Sequence, residues 1–325
     1  MDWHFTLENF DSLSTYWGEL QDKSQASSIF SSPAWLKVWW QQFGSRAELY
    51  LGAVRHQGRV VGVAPLLTRG KVAFFIGSSD VCDYLDFIVE ISEEGTFFTT
   101  LLDNLAGRGI VQLDLAPLRP DSTVVTTLVD IAQRQGWQVS CNEEGVSVEL
   151  DLPSTWEEYL QLLSAKQRHE LRRKLRRLAE AGRVNYRTST DANSQDIDIF
   201  VNLFRNSWQD KAAFLTPRME SFFRALAKTM AEQKLLRLSI LELDASPVAA
   251  TMCFDYKNDV YLYNSGYDPE YGWLSVGLIS KALCVKDSIK RGKKRFDFLK
   301  GGEAYKYRLG GHELPLYKCN LNLLK

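Results

Sequence analysis

The stretch Val260-Tyr-Leu-Tyr-Asn-Ser-Gly-Tyr-Asp-Pro-Glu-Tyr-Gly-Trp-Leu-Ser-Val-Gly-Leu-Ile279 decides how this chain is read. Val260 to Asn264 is rich in β-branched and aromatic residues and predicts a strand. Gly266 to Gly272 carries glycine, aspartate and proline, the residues of a loop. From Ser275 to Arg291 the apolar spacing predicts a helix. The first turn of a helix leaves N–H groups without intrahelical partners, and its dipole favours negative charge. Gly277 has no side chain, so a phosphate could approach the N–H groups of Val276, Gly277 and Leu278. Strand, loop and helix start thus read as a phosphate cradle. The same residues also describe an ordinary helix start with a packing glycine, which is the commoner arrangement.

Downstream lies Phe296-Asp-Phe-Leu-Lys-Gly-Gly-Glu-Ala-Tyr-Lys-Tyr-Arg-Leu-Gly-Gly311. Its start predicts a buried strand, with Asp297 inside an apolar run. An aspartate there needs a partner or a shifted pKa. Gly301-Gly302 turns the chain, and Glu303, Tyr305, Lys306 and Arg308 follow. A carboxylate, a phenol and two cations then stand near one strand end, where open sheets place their sites. Such groups suit proton transfer. A purely structural aspartate paired with Lys306 or Arg308 fits the spacing equally well.

Outward from these stretches, helix and strand signals alternate. Ser32-Pro33 starts a helix that runs to Phe43. Strands are expected at 48–54, 60–67, 72–76, 111–115 and 146–150, and helices at 96–107 and 123–136. The second half opens with the helix 166–181, ending at Gly182 as a C-cap. Helices 196–210 and 216–232 follow. Next come strands 236–243, 248–256 and 260–264, joined by short turns as an antiparallel meander. A strand at 295–299 and a final strand at 316–324 close the chain. The halves share one plan, so the expectation is two copies of one α/β (α+β) fold, at 1–150 and 151–325. The length of 325 residues agrees with about two domains at ~150 residues each.

The helix 166–181 carries Lys166, Arg168, Arg172, Arg173, Lys174, Arg176 and Arg177 beside the apolar stripe Leu171, Leu175 and Leu178. It reads as a phosphate or RNA surface, or as a solvated face paired with Glu170 and Glu180. Arg168 and Arg172, one turn apart, are the expected ligand contacts.

Lys and Arg number 39 against 40 Asp and Glu, a net charge of -1 that argues against a dedicated DNA binder. Cys82, Cys141, Cys253, Cys284 and Cys319 are scattered, with no C-x-x-C pair, so reduced and mostly buried thiols are expected. His4, His56, His169 and His312 have no metal spacing, and no metal is expected. No run reaches the ~18 apolar residues of a membrane span, and no secretory leader pattern opens the chain. A cytoplasmic location is expected.

Taken together, several stretches resemble a known family. They are Phe30-Ser-Ser-Pro-Ala-Trp35, the basic helix, Tyr263-Asn-Ser-Gly-Tyr-Asp-Pro-Glu-Tyr271, Ser275-Val-Gly277 and Phe296-Asp-Phe-Leu-Lys-Gly-Gly-Glu-Ala-Tyr-Lys306. The chain resembles the BioF2-like (CelD-type) acetyltransferases of the GNAT superfamily, which are related to the Fem peptidyl transferases. Val276, Lys300, Gly302 and Leu309 depart from the family pattern, which has proline, arginine, an acidic residue and an aromatic there.

The resemblance implies two GNAT-like domains, each a mixed, largely antiparallel sheet flanked by helices. It implies acetyl-CoA or another acyl-CoA as donor, held around Tyr271, Ser275, Val276, Gly277 and Leu278. The acceptor would be a small molecule or saccharide, met by Tyr263, Arg168 and Arg172. Asp297 or Glu303 would be the base, with Tyr305 or Lys306 assisting; Lys306 matches the active-site lysine of the Fem relatives. The alternatives are a Fem-like transferase using aminoacyl-tRNA, or a non-catalytic binding module.

Overall fold

In the computed structural model, which describes residues 3–24, 28–207 and 209–324, the chain divides into two units. One is Met1–Val146 with Leu314–Lys325, and the other is Ser147–Glu313. The expected division at 150/151 therefore moves, and the end of the chain changes side.

The first unit contains β1 (Trp3–Leu7), α1 (Phe10–Lys23), α2 (Pro33–Phe43), β2 (Glu48–His56), β3 (Arg59–Arg69), β4 (Val72–Phe75), β5 (Ile88–Val89), α3 (Glu94–Gly107), β6 (Gln112–Leu118) and α4 (Val129–Arg134). The long strand β7 (Gln138–Asp151) leads out of it. The second unit contains α5 (Trp156–Leu162), α6 (Ala165–Ala181), β8 (Val184–Ser189), α7 (Ser194–Ser207), α8 (Gln209–Phe214), α9 (Pro217–Glu232), β9 (Leu236–Leu243), β10 (Ser246–Tyr256), β11 (Asp259–Tyr267), α10 (Val276–Lys290), β12 (Arg295–Lys300) and α11 (Ala304–Arg308). The last strand is β13 (His312–Asn322). Of the helix expected at 196–210, position 208 lies outside the described residues.

Strand order in the first unit is β1-β2-β3-β4-β6-β13, and in the second β8-β9-β10-β11-β12-β7. The two orders correspond place for place, which is the repeated plan expected from the sequence. Both are antiparallel except at one step. In the first unit β4 runs parallel to β6, and in the second β11 runs parallel to β12. The helix crossing between those strands is α3 in one unit and α10 in the other. β13 fills the sixth place of the first unit by pairing with β6, Leu321 opposite Leu113.

Apolar burial holds each unit together. In the second, Leu262, Ala282, Val285, Phe296 and Phe298 form one core with Leu150 and Tyr159. Tyr159 also donates to the Leu309 carbonyl at 2.9 Å, tying α5 to the end of α11.

Two local expectations change. Gly182 is not a left-handed cap: its φ is 164°, an extended value. It is glycine because a Cβ there would lie 2.4 Å from the Asp244 carboxylate, which accepts from the Arg183 N–H at 2.8 Å. The cysteines also differ from expectation. Cys82, Cys253 and Cys284 are free and buried, but Cys141 and Cys319, 178 positions apart, are joined as a disulfide. Sequence spacing does not reveal strands that meet only after folding.

Gly266 marks the tightest approach in the second unit. A Cβ on it would stand 2.2 Å from the Phe204 nitrogen and 2.6 Å from the Leu203 carbonyl oxygen, both main chain of α7. Main chain cannot swing aside as a flexible side chain can. Gly266→Ala should therefore lower the unfolding free energy by about 3 kcal/mol in a urea titration. A change below about 0.5 kcal/mol would show that α7 does not press on β11 there.

Candidate active site

The parallel contact between β11 and β12 lasts only three residue pairs, Asp259–Tyr261 against Arg295–Asp297. Beyond Tyr261 and Asp297 the strands part. Two departures from regular pairing shape the opening. On β11 the register with β10 steps by one residue between Met252 and Cys253, so Tyr263 is the extra residue of a β-bulge. On β12 the register with β7 steps between Asp297 and Lys300, and Leu299 takes φ 66°.

Asp297 and Lys306 hold β12 in that shape. Asp297 is fully buried, and its Oδ1 accepts from the Leu299 N–H at 2.8 Å, an aspartate turn two residues long. Lys306 is 1% exposed. Its ammonium donates to the carbonyls of Leu299 (2.7 Å), Lys300 (2.7 Å) and Gly301 (2.9 Å), and pairs with Glu303 Oε2 at 2.9 Å. An ammonium has three protons to donate. Four acceptors saturate it, so Lys306 is a clamp on the loop after β12, and we assign it to positioning. Glu303, which it pairs with, is exposed and faces solvent.

The helix α10 begins beside this opening. Its N-cap residue Ser275 has φ 59°, and its side chain makes no capping hydrogen bond. Instead the hydroxyl accepts from Lys174 Nζ at 2.7 Å, and no acidic residue stands in the first turn. The N–H of Leu278 already donates to the Ser275 carbonyl at 3.0 Å, which leaves Val276 and Gly277 as the first-turn donors of the expected trio. Gly277 has a packing reason as well, since a Cβ there would lie 3.0 Å from the Tyr267 ring. Both readings of that glycine therefore hold. Tyr271 is half-buried in the short 3-10 turn Pro269–Leu274 and packs on the core below α10. Beside it, Arg177 stacks 5.1 Å over the ring of Trp273, which is 59% exposed.

The basic helix thus meets α10 through Lys174, with Arg177 beside it. Arg168 donates to the Leu160 carbonyl at 3.2 Å and closes the end of α5, while Arg172 is exposed. Tyr263 lies in a buried aromatic cluster, 5.8 Å from Phe223 and 5.4 Å from Phe254. Of the three residues expected to meet the acceptor, Arg168 is held by a main-chain carbonyl and Tyr263 sits among aromatic neighbours, while Arg172 is exposed.

Sequence reading missed two lysines, Lys281, which is buried, and Lys211, which is half-buried. Lys281, in the second turn of α10, donates to the Gly277 carbonyl at 2.9 Å and lies 4.8 Å over the Tyr305 ring. Burial above all, and then the charge of Lys211, push its pKa down to about 7. Lys211, on α8, donates to the Ser265 carbonyl on the parted half of β11, and burial pushes its pKa down to about 8. The phenol of Tyr305 is driven well above its ordinary value, first by burial and then by the Glu303 charge, so it stays protonated.

In the first unit the corresponding opening is filled. Phe75 at the end of β4 packs 4.9 Å from Phe87, which in turn meets Phe97 and Phe98 of α3 at 5.9 and 5.3 Å. The first turn of α3 carries Glu94, next to Glu93 at the N-cap. A carboxylate there repels an anion from the helix start.

Residues 165–307 match the acetyltransferase (GNAT) domain. The match lies inside the second unit. Among solved structures, FemX aligns over 97% of this chain and 96% of its own at 11% identity, with a TM-score of 0.70. The C-terminal domain of a putative lysylphosphatidylglycerol synthetase from Agrobacterium fabrum aligns over 96% and 92% at 10% identity, TM-score 0.60. A tandem GNAT protein from the clavulanic acid biosynthesis pathway aligns over 98% of both chains at 13% identity, TM-score 0.51. At such identities the likeness is one of fold: a mixed α/β fold of GNAT type, as in tandem GNAT proteins. No curated protein matches the sequence. Among the described residues no cluster of His, Cys, Asp and Glu is placed to hold a metal ion, and no helix is long and apolar enough to cross a membrane.

If Lys306 is the clamp described here, its loss must show in stability and not only in turnover. Lys306→Met leaves three carbonyls and a carboxylate around an apolar tip, and the unfolding free energy should fall by about 3 kcal/mol. Unchanged stability with lost activity would return Lys306 to a purely chemical role.

Proposed function

We propose that this protein is an acyl-CoA-dependent acyltransferase of CelD type, with its donor site in the second unit. The acceptor is an amine or hydroxyl of a small molecule or saccharide. The observation that carries this reading is the start of α10. An uncapped, acid-free first turn opens beside the gap between β11 and β12, with Lys174 2.7 Å from the N-cap hydroxyl.

Each part has a chemical use. The first-turn N–H groups and Lys174 suit a pyrophosphate. The gap between the strands suits an extended chain that takes up the hydrogen bonds the strands no longer give each other. The bulge in β11 is where main-chain donors leave the ladder and can meet a thioester oxygen. In the reaction, the acceptor's lone pair attacks the thioester carbonyl carbon, the carbon–sulfur bond breaks, and the departing thiolate takes a proton. In this reading Glu303, exposed beside Lys306, takes the acceptor's proton, and Tyr305, held protonated, supplies one to sulfur. Asp297 and Lys306 act on these groups by fixing the loop that carries them.

The tRNA-dependent alternative rested on the basic helix. Much of that charge has partners within the unit. Arg173 pairs with Glu170 and Arg176 with Glu180, Arg168 holds the Leu160 carbonyl, and Arg177 stacks on Trp273.

Acetyl-CoA at ~100 times its dissociation constant should stabilise the folded protein by about 2.7 kcal/mol, read as an upward shift of the thermal midpoint. Ser275→Asp, at a left-handed position that aspartate tolerates, puts a carboxylate at the helix start and should abolish the shift. A shift retained in that variant would move the donor off α10. Absence of a shift with acetyl-CoA, CoA and longer acyl-CoAs would overturn the reading.

A further inference from the structure

Three lysines surround the opening, and they are not in the same state. Lys306 is saturated, with three carbonyls and a carboxylate. Lys281 is 7% exposed, yet among the described residues its ammonium has one hydrogen-bond acceptor, the Gly277 carbonyl, and one ring face, that of Tyr305. Lys211 is half-buried and has the Ser265 carbonyl and the Phe204 ring, whose centroid is 4.8 Å away. One lysine reaches in along the β11 wall and the other beside Tyr305, just past the end of β12. Neither ammonium is well compensated where it stands. The two repel, Lys281 buried and Lys211 half-buried, and neither carbonyl nor ring supplies a full counter-charge; besides Glu303, the thiols of Cys284 and Cys253 are the groups that favour the Lys281 cation. The carboxylate whose field reaches both is Glu303, which Lys306 already holds.

We propose that Lys211 and Lys281 form a binding site for a substrate carboxylate in the opening between β11 and β12. This rests on the acyltransferase reading and adds a substrate class to it. A carboxylate has two oxygens and about four acceptor sites, enough to take an N–H from each lysine. It cancels the repulsion between them and restores both to the charged form. It comes either from the far end of a dicarboxylic acyl group on the donor or from an amino-acid acceptor.

Binding measurements on the full chain separate these sources. In the donor arm, titration calorimetry compares succinyl-CoA with acetyl-CoA. In the acceptor arm, L-alanine is compared with L-alaninamide, with and without saturating CoA. The expected result is at least a tenfold preference for the carboxylate-bearing probe in one arm. That preference should fall to near one in Lys281→Met and in Lys211→Met. Methionine keeps the stem length and removes the buried cation, so the fold should persist, and circular dichroism checks it. Measuring a ratio of two probes cancels any general loss of affinity in a variant. No preference in either arm, or a preference that survives both substitutions, overturns the proposal. If CoA itself does not bind, the donor reading fails separately, and the alanine comparison without CoA still decides the lysine pair.

Discussion

Lys306 sets the shape of the second unit's centre. A strand that ran straight on from Phe296 would stay beside β11 and close the sheet. Instead three consecutive carbonyls, from Leu299 to Gly301, turn toward one ammonium. That geometry requires the left-handed φ at Leu299, which Asp297 supports by accepting from its N–H. Apolar burial of Phe296 and Phe298 anchors the strand up to the turn, and Gln167 of α6 holds the far end of α11 through the Tyr307 carbonyl at 2.8 Å. The end of the β11–β12 pairing and the positions of Glu303 and Tyr305 go with that turn, while the start of α10 is set by Ser275 and Lys174.

The two units show what the same plan gives with different side chains. Strand order and the short parallel step are common to both. Four phenylalanines fill the first unit's opening, and glutamates stand at its crossing helix. In the second, lysines line the opening and the helix starts on an uncapped serine. Aromatic packing stabilises and closes; buried cations destabilise and invite a counter-ion. The proposed donor site therefore falls in the half whose opening carries cations rather than packed rings.

Much of this was legible in the sequence, and what was not has physical causes. Ser32-Pro33, the meander from 236 onward and the start of α10 depend on local rules of capping, turns and periodicity, and they stand as read. α1 has no counterpart among the expected elements, although Phe10, Leu13, Trp17 and Leu20 form a buried stripe along it. β8 is short and has no fully buried residue, so it carries little hydrophobic signal. The partner of β13 was not readable, because an apolar alternation does not name its neighbour. Ser275, Val276 and Gly277 were read as a helix start, and α10 begins there. Lys281 was passed over as one cation in the apolar run Leu278-Ile-Ser-Lys-Ala-Leu-Cys284, although a lysine on that buried face was itself the signal. Lys306 was found, but its acceptors are main-chain carbonyls, which no residue type reveals.

The central claim is that an acyl thioester lies on α10 and the parted half of β11, and not in the first unit. Amide hydrogen exchange with and without saturating CoA tests it most directly. The account predicts slowed exchange at Val276, Gly277 and along Leu262–Tyr267, with the start of α3 at Glu94–Phe97 unchanged. Slowing at the start of α3, or none at the start of α10 once CoA is saturating, would contradict it.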